Sequence, residues 1–207
     1  MLRPFELTGR HVRLEPLSTA HEPGLVAAAA EDRSSYALTR VPDGPMEVAA
    51  YVRAALAEQD GGQVLPFAVV RTRDDAVVGC TRFLDMEVLG RPESVLLDTD
   101  RTPDVVEIGS TWYAASAQRT PLNTEAKLLL LGHAFDAWQV LRVTLKTDAR
   151  NQRSRTAIER LGAVFEGIRR AHTLASDGTV RDSAYYSIVA AEWPAVRDGL
   201  RSRLVGS

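Results

Sequence analysis

Residues 105–135 read VVEIGSTWYAASAQRTPLNTEAKLLLLGHAF, and the change of pattern along them decides the fold. The stretch opens as a short apolar strand, crosses a polar turn rich in breakers, and ends in a strongly apolar helix. A strand that feeds a helix N-terminus through such a turn is a natural seat for an anion. The N–H groups of a first helical turn have no partner inside the helix, and they point outward. If a cofactor binds, its phosphates are expected here.

The rest of the chain bounds what that seat can serve. A length of 207 residues suits one domain, 1–207, with a sizeable core. A hydrophobic content of 45% with 25% charged residues is ordinary for a soluble globular protein. The net charge of −2 gives no bulk reason to expect nucleic acid or an acidic membrane as partner. The one cysteine, Cys80, can form no internal disulfide, and no apolar run has signal-peptide or membrane-spanning length. A cytoplasmic location is the expectation. His11, His21, His133 and His172 have no metal-ligand spacing, so no metal is expected.

Before the opening stretch, HVRLEPL from His11 alternates as a strand closed by Pro16. Ser18 or Thr19 then caps a helix running to about Asp32, and a second helix covers residues 45–58 with Val48, Val52, Ala55 and Leu56 as its apolar stripe. Residues 33–44 between them, with Tyr36 read as exposed, make a pocket wall. Residues 65–71 and 76–84 form a hairpin. Residues 85–104 read as an acidic loop insertion, with 95–97 packing locally. After it, residues 141–148 alternate with Leu141, Val143, Leu145 and Thr147 on one face. Asn151 caps a helix that Gly162 stops. Strands at 163–174 and 179–189 flank the hairpin turn ASDG, and a last helix spans 192–204. The order β-α-α-β-β-β-α-β-α-β-β-α predicts an α/β (α+β) domain. Its sheet is mixed and mostly antiparallel, with helices on both faces.

That order, with the motifs LTGRHVRLEPL, EIG, QRTPLNTEA and NQRSRTAIERLGA, resembles the GNAT superfamily of acyl-CoA-dependent N-acyltransferases, in particular its ribosomal-protein-alanine acetyltransferase branch. The resemblance covers nearly the whole chain. It implies acetyl-CoA as cosubstrate, with pyrophosphate on Gln118, Arg119, Thr120, Leu122, Asn123 and Thr124. Pantetheine would run along the backbone of Thr111, Trp112 and Tyr113, and Asn151 and Arg155 would add contacts. The family turn is typically Q/R-x-x-G-x-G/A, and Pro121 and Asn123 stand where it has glycines. Asn tolerates left-handed backbone best among the replacements. Pro has no N–H to offer, a loss of about 1 kcal/mol, but it suits a first helical turn. CoA binding is expected to survive.

Acyl transfer to an amine needs a neutral amine, a stabilised oxyanion and a proton for the leaving thiolate. Glu107, charged in mid-strand, is the candidate base; the alternatives are a solvated strand face or a partner for an arginine. Ser154 is the candidate acid, or simply a first-turn capping residue. Arg153 and Arg155 are candidates for the CoA phosphates, or solvated helix residues. An α-amine of pKa about 8 is already roughly 10% neutral at pH 7, against about 0.04% for a lysine. A lone carboxylate is better matched to the first, so the expected acceptor is a protein or peptide N-terminus or a small-molecule amine. The other readings are a transferase for another donor such as succinyl-CoA, or a catalytically silent CoA-binding scaffold. Residues 128–131 read as core-facing, with a homodimer contact as a second use.

Overall fold

Alternating strands, capped helices and short turns assemble as that order predicts, in a computed structural model that describes residues 2–90 and 102–205. The chain runs β1 (Leu7–Thr8), β2 (Val12–Pro16), α1 (Glu22–Ala30), α2 (Gly44–Asp60), β3 (Leu65–Arg71), β4 (Ala76–Glu87), β5 (Val105–Tyr113), α3 (Pro121–Gly132), β6 (Arg142–Asp148), α4 (Gln152–Arg160), β7 (Val164–Leu174), β8 (Val180–Val189) and α5 (Trp193–Val205). The sheet order is β1-β2-β3-β4-β5-β6-β8-β7. Neighbours joined by tight turns pair antiparallel; β5 and β6, joined through α3, pair parallel. Every residue of β3 from Leu65 to Val70 is buried. Successive strand residues point to opposite faces, so the middle of the sheet is covered on both sides. The last strand in the sheet order, β7, is mostly exposed.

Four expectations need correction. β1 was not foreseen, because two residues are too short for a period to register. β4 runs on to Glu87, so the start of the expected insertion is strand; residues 95–97 lie outside the described residues. Leu141 precedes β6 and is 53% exposed, whereas Val143, Leu145 and Thr147 are buried as expected. Tyr36 is buried, its hydroxyl donating to the carbonyls of Ala28 and Tyr113, because the 33–36 turn folds inward over the end of β5.

The opening stretch is hydrogen-bonded to the start of the chain through Glu125. The buried carboxylate of Glu125, on α3, accepts N–H bonds from Arg10 (2.9 Å), His11 (2.5 Å) and Val12 (3.0 Å). Gly9 has to be glycine beside it, since a Cβ there would lie 2.5 Å from the carboxyl carbon. Leu122, Ala126, Leu130 and Leu131 of the same helix join the buried core, which takes residues from every α-helix described. Among the described residues no helix is long and apolar enough to cross a membrane.

The feature that makes a site is a divergence in the sheet. β5 pairs with β4 along its length, from Val105 opposite Glu87 to Tyr113 opposite Gly79. On its other side it pairs with β6 only at Val105, Val106 and Glu107. Among the described residues, β5 has no ladder partner on that side beyond Glu107. The two strands splay, and a cleft of about 2050 Å³ opens there, lined by Tyr51, Glu107, Thr111, Lys127, Asn123 and Ser154 among others.

Candidate functional site

The site begins with a local irregularity in β5. Cys80 faces Trp112 and Arg82 faces Gly109, so Ser110 and Thr111 stand against Thr81 alone. Ser110 takes up the extra residue with φ of +47°. Such a bulge turns backbone groups out of the ladder, and Ser110 and Thr111 line the cleft. Gly79, opposite Tyr113, admits no side chain: a Cβ would lie 2.0 Å from the carbonyl oxygen of Trp112.

Glu107 lies where the strands part, 3% exposed, with Oε2 2.9 Å from Nζ of Lys146 on β6. Lys146 is also 2.9 Å from Asp85 Oδ2. Burial pushes the Glu107 carboxyl up to about 7, against the pull of the Lys146 ammonium and with some help from Asp85. Its partner is therefore a lysine rather than an arginine. Gly109 leaves room for the carboxylate, which would lie 2.5 Å from a Cβ at that position.

Thr111 turns its hydroxyl inward, 2.8 Å from Thr81 Oγ1 and 2.9 Å from Lys127 Nζ. Trp112 and Tyr113 are buried, Trp112 meeting the Tyr36 ring edge-on. The Tyr113 carbonyl is taken by Tyr36 and by Gln118 Nε2 at 2.9 Å.

The turn before α3 is built differently from its sequence reading. Arg119, with φ of +58°, holds the left-handed position, and Asn123 lies in the first helical turn. Pro121 is in that first turn, as expected. Thr120 is the N-cap; its hydroxyl accepts the Leu122 N–H, and Leu122 is buried as a core residue. Two N–H groups of this helix end are therefore not offered to an anion, one missing in Pro121 and one capped in Leu122. Arg119, Thr120, Asn123 and Thr124 line the cleft.

Across the cleft, Asn151 caps α4, its Oδ1 accepting the Ser154 N–H at 3.0 Å. Ser154 lines the cleft. Arg153 reaches over to Gln118 Oε1 (3.3 Å) and the Ser35 carbonyl (2.6 Å), bracing the turn before α3. Arg155 turns away: its guanidinium bonds Tyr186 and covers the Phe165 ring, and it is not among the cleft residues. Its aromatic neighbours on β7 and β8 outcompete the cleft for it.

The sequence reading did not single out Lys127, Lys146, Asp85 or the Arg82–Glu58 pair (2.9 Å) on the opposite wall. A signal for the first was present. Lys127 sits one turn before Leu131 on the apolar side of α3, where a lysine is out of pattern. As for a CoA thioester, the residues present fit one: an open strand edge, a helix N-terminus and the cations Arg119 and Arg153 line one cleft.

Known proteins resemble the chain along nearly its whole length. The acetyltransferase (GNAT) domain family matches residues 11–164. A GCN5-related N-acetyltransferase from Brucella melitensis is 30% identical, covers 98% of this chain and 86% of its own, and superposes with a TM-score of 0.81. A T. thermophilus protein assigned as an acetyltransferase is 33% identical over 99% of both chains, with a TM-score of 0.78. Mycobacterium smegmatis RimJ, solved with CoA-disulfide, shares the fold at 20% identity, covering 97% of this chain and 95% of its own, with a TM-score of 0.76. No curated protein sequence matches the chain.

Proposed function

Because the chain belongs to the GNAT acetyltransferase family, and is thereby an acyl-CoA-dependent N-acetyltransferase, we propose that it acetylates a low-pKa primary amine, a protein or peptide N-terminus or a small-molecule amine, with Glu107 as base. The observation that carries this reading is the Glu107 carboxyl at about 7, buried in the cleft where β5 and β6 part. A base is most effective when its pKa lies near the working pH. An α-amine of pKa about 8 needs only that much help.

The acetyl thioester enters as the second substrate. Its phosphates belong on Arg119, Thr120, Asn123 and Thr124, with Gln118 and Arg153 holding the turn in shape. Its arm runs along the free edge of β5 at residues 111–113, and Asn151 keeps the start of α4 in place against it. Glu107 takes a proton from the acceptor ammonium, the amine attacks the thioester carbonyl, and backbone N–H groups at the β5 bulge face the developing oxyanion. Ser154 supplies a proton to the leaving thiolate and regains one from the nitrogen as the amide forms. A thiol of pKa about 8.5 is a tolerable leaving group, so Ser154→Ala is expected to lower kcat by no more than about tenfold, with KM for acetyl-CoA little changed. A loss of about 10² or more would make Ser154 essential rather than assisting.

Peptide N-termini are the first acceptors to test, because their α-amines have the low pKa that a single carboxylate can serve. The chain is incubated with acetyl-CoA and a panel of peptide N-termini, polyamines and aminoglycosides, and free thiol is measured. Acceptor-dependent release from peptides is the expected result. Release only with succinyl-CoA reassigns the donor, and CoA binding without release from any acceptor identifies a silent binder.

A further inference from the structure

Two of the chain's 25 Lys and Arg residues are lysines, Lys127 and Lys146, and both line the cleft. Their surroundings are opposite. Lys146 has two carboxylates at 2.9 Å, those of Glu107 and Asp85, and despite the cost of burial they raise its pKa. Lys127 is 5% exposed, and its one hydrogen-bond partner among the described residues is the Thr111 hydroxyl. Among the described residues no carboxylate lies within ion-pair distance of it. Glu107 is near enough to act on it electrostatically but is spent on Lys146. An ammonium buried without a counter-ion is strongly disfavoured, and a lysine so placed gives up its proton more readily. Burial accordingly brings Lys127 down to about 7, with Glu107 resisting. The cleft thus holds one lysine fixed as an ammonium and one that is a free amine in about half of the molecules at pH 7, and a free amine is the kind of group this enzyme class acetylates.

We propose that Lys127 is a self-acetylation site: its amine, buried without an acidic partner beside Thr111, takes the acetyl group from acetyl-CoA bound in the shared cleft. The inference rests on the reading that acetyl-CoA occupies this cleft. In the step, the Nζ lone pair attacks the thioester carbonyl and an N–C bond forms. The C–S bond breaks with its electron pair left on sulfur, and the proton lost from Nζ ends on the thiolate. The products are Nζ-acetyl-Lys127 and free CoA thiol; no other reactant is needed. Lys146 is spared because its lone pair carries a proton held by two carboxylates. The acetylated side chain is bulkier and neutral at every pH, and its acetyl group lies against Thr111 in the space the thioester uses. Modified molecules lose acceptor turnover.

Having two lysines makes the test direct. The full chain is incubated with acetyl-CoA without acceptor, and the lysine peptides are mapped by mass spectrometry over time. Acetyl is expected to accumulate on Lys127 and not on Lys146, faster as pH rises through 7, with a parallel loss of subsequent turnover. Excess free CoA is expected to suppress it, since the donor must be bound. Lys127→Met is expected to bind CoA by calorimetry and take no acetyl; the wild-type map stands by itself if that variant folds poorly. CoA binding with acceptor turnover but an unmodified Lys127 overturns the inference and leaves the enzymatic reading intact. Equal labelling of both lysines, or labelling that excess CoA leaves unchanged, also overturns it. Absence of CoA binding sinks both.

Discussion

Glu107→Gln is expected to lower kcat/KM at pH 7 by about tenfold or more, because without its base only the roughly 10% of an α-amine that is already neutral can attack. The pH profile carries the mechanism. Wild-type rate is expected to fall as pH drops through about 7, because the carboxyl must be ionised to accept a proton. Glutamine removes that limb, leaving only the titration of the acceptor. The deficit narrows as pH rises toward the acceptor's own pKa, about 8 for an α-amine, since the amine then arrives neutral. An unchanged profile shape would remove Glu107 from the chemistry.

Stability distinguishes this from a folding defect. A carboxyl whose folded pKa is raised binds more protons in the native state between its unfolded value of 4.5 and about 7. Its contribution to stability is therefore greatest below 4.5, declines as pH rises through that window, and is a penalty above it. Glutamine, neutral at every pH, does not incur the penalty, and Lys146 keeps Asp85 as partner. The melting temperature of Glu107→Gln at about pH 7.5 is expected to be no lower than wild type.

The elements that were legible in the sequence are those whose signals are local. Alternation placed β2 and β6, the hairpin signature placed β3 and β4, the Asn151 cap placed α4, and the Gly178 turn placed the last hairpin. The strand, turn and helix of the opening stretch could be placed because they are adjacent in the chain. What escaped depends on contacts distant in sequence. Tyr36 looked exposed because the carbonyl it bonds is 77 residues away. The partner of Glu107 could not be named because Lys146 is on another strand, and strand pairing is not written in either segment. The left-handed residue was sought at the family's glycine positions, but capping by Thr120 moves the strain to Arg119, which a charged side chain does not advertise. Arg155 shows the same limit from the other side: spacing put it on the right helix, and packing against Phe165 and Tyr186 chose its direction.

Glu125→Ala is the substitution expected to cost the fold most without touching the chemistry. The carboxylate of Glu125 is buried and takes three backbone N–H groups, of Arg10, His11 and Val12. Hydrogen bonds to a charged group contribute about 1.5–3 kcal/mol each, and unmade ones leave buried donors unsatisfied. Rehydration of the chain at residues 9–12 recovers part of this, so a net loss of about 3–5 kcal/mol is expected, or a fall in Tm of about 6–20 °C for a chain of this length. Glu125→Gln retains one carbonyl acceptor but turns an NH₂ toward a donor, and is expected to lose roughly half as much. The two buried carboxylates thus separate cleanly. Glu125 is stabilised by the donors it was folded around, so its loss is read in Tm with the pH–rate profile unchanged at permissive temperature. Glu107 is held ready to change protonation, so its loss is read in the profile with Tm preserved. A Glu125→Ala protein that melts with wild type would mean that water replaces the carboxylate at little cost, and that α3 is held to β2 by its apolar face alone.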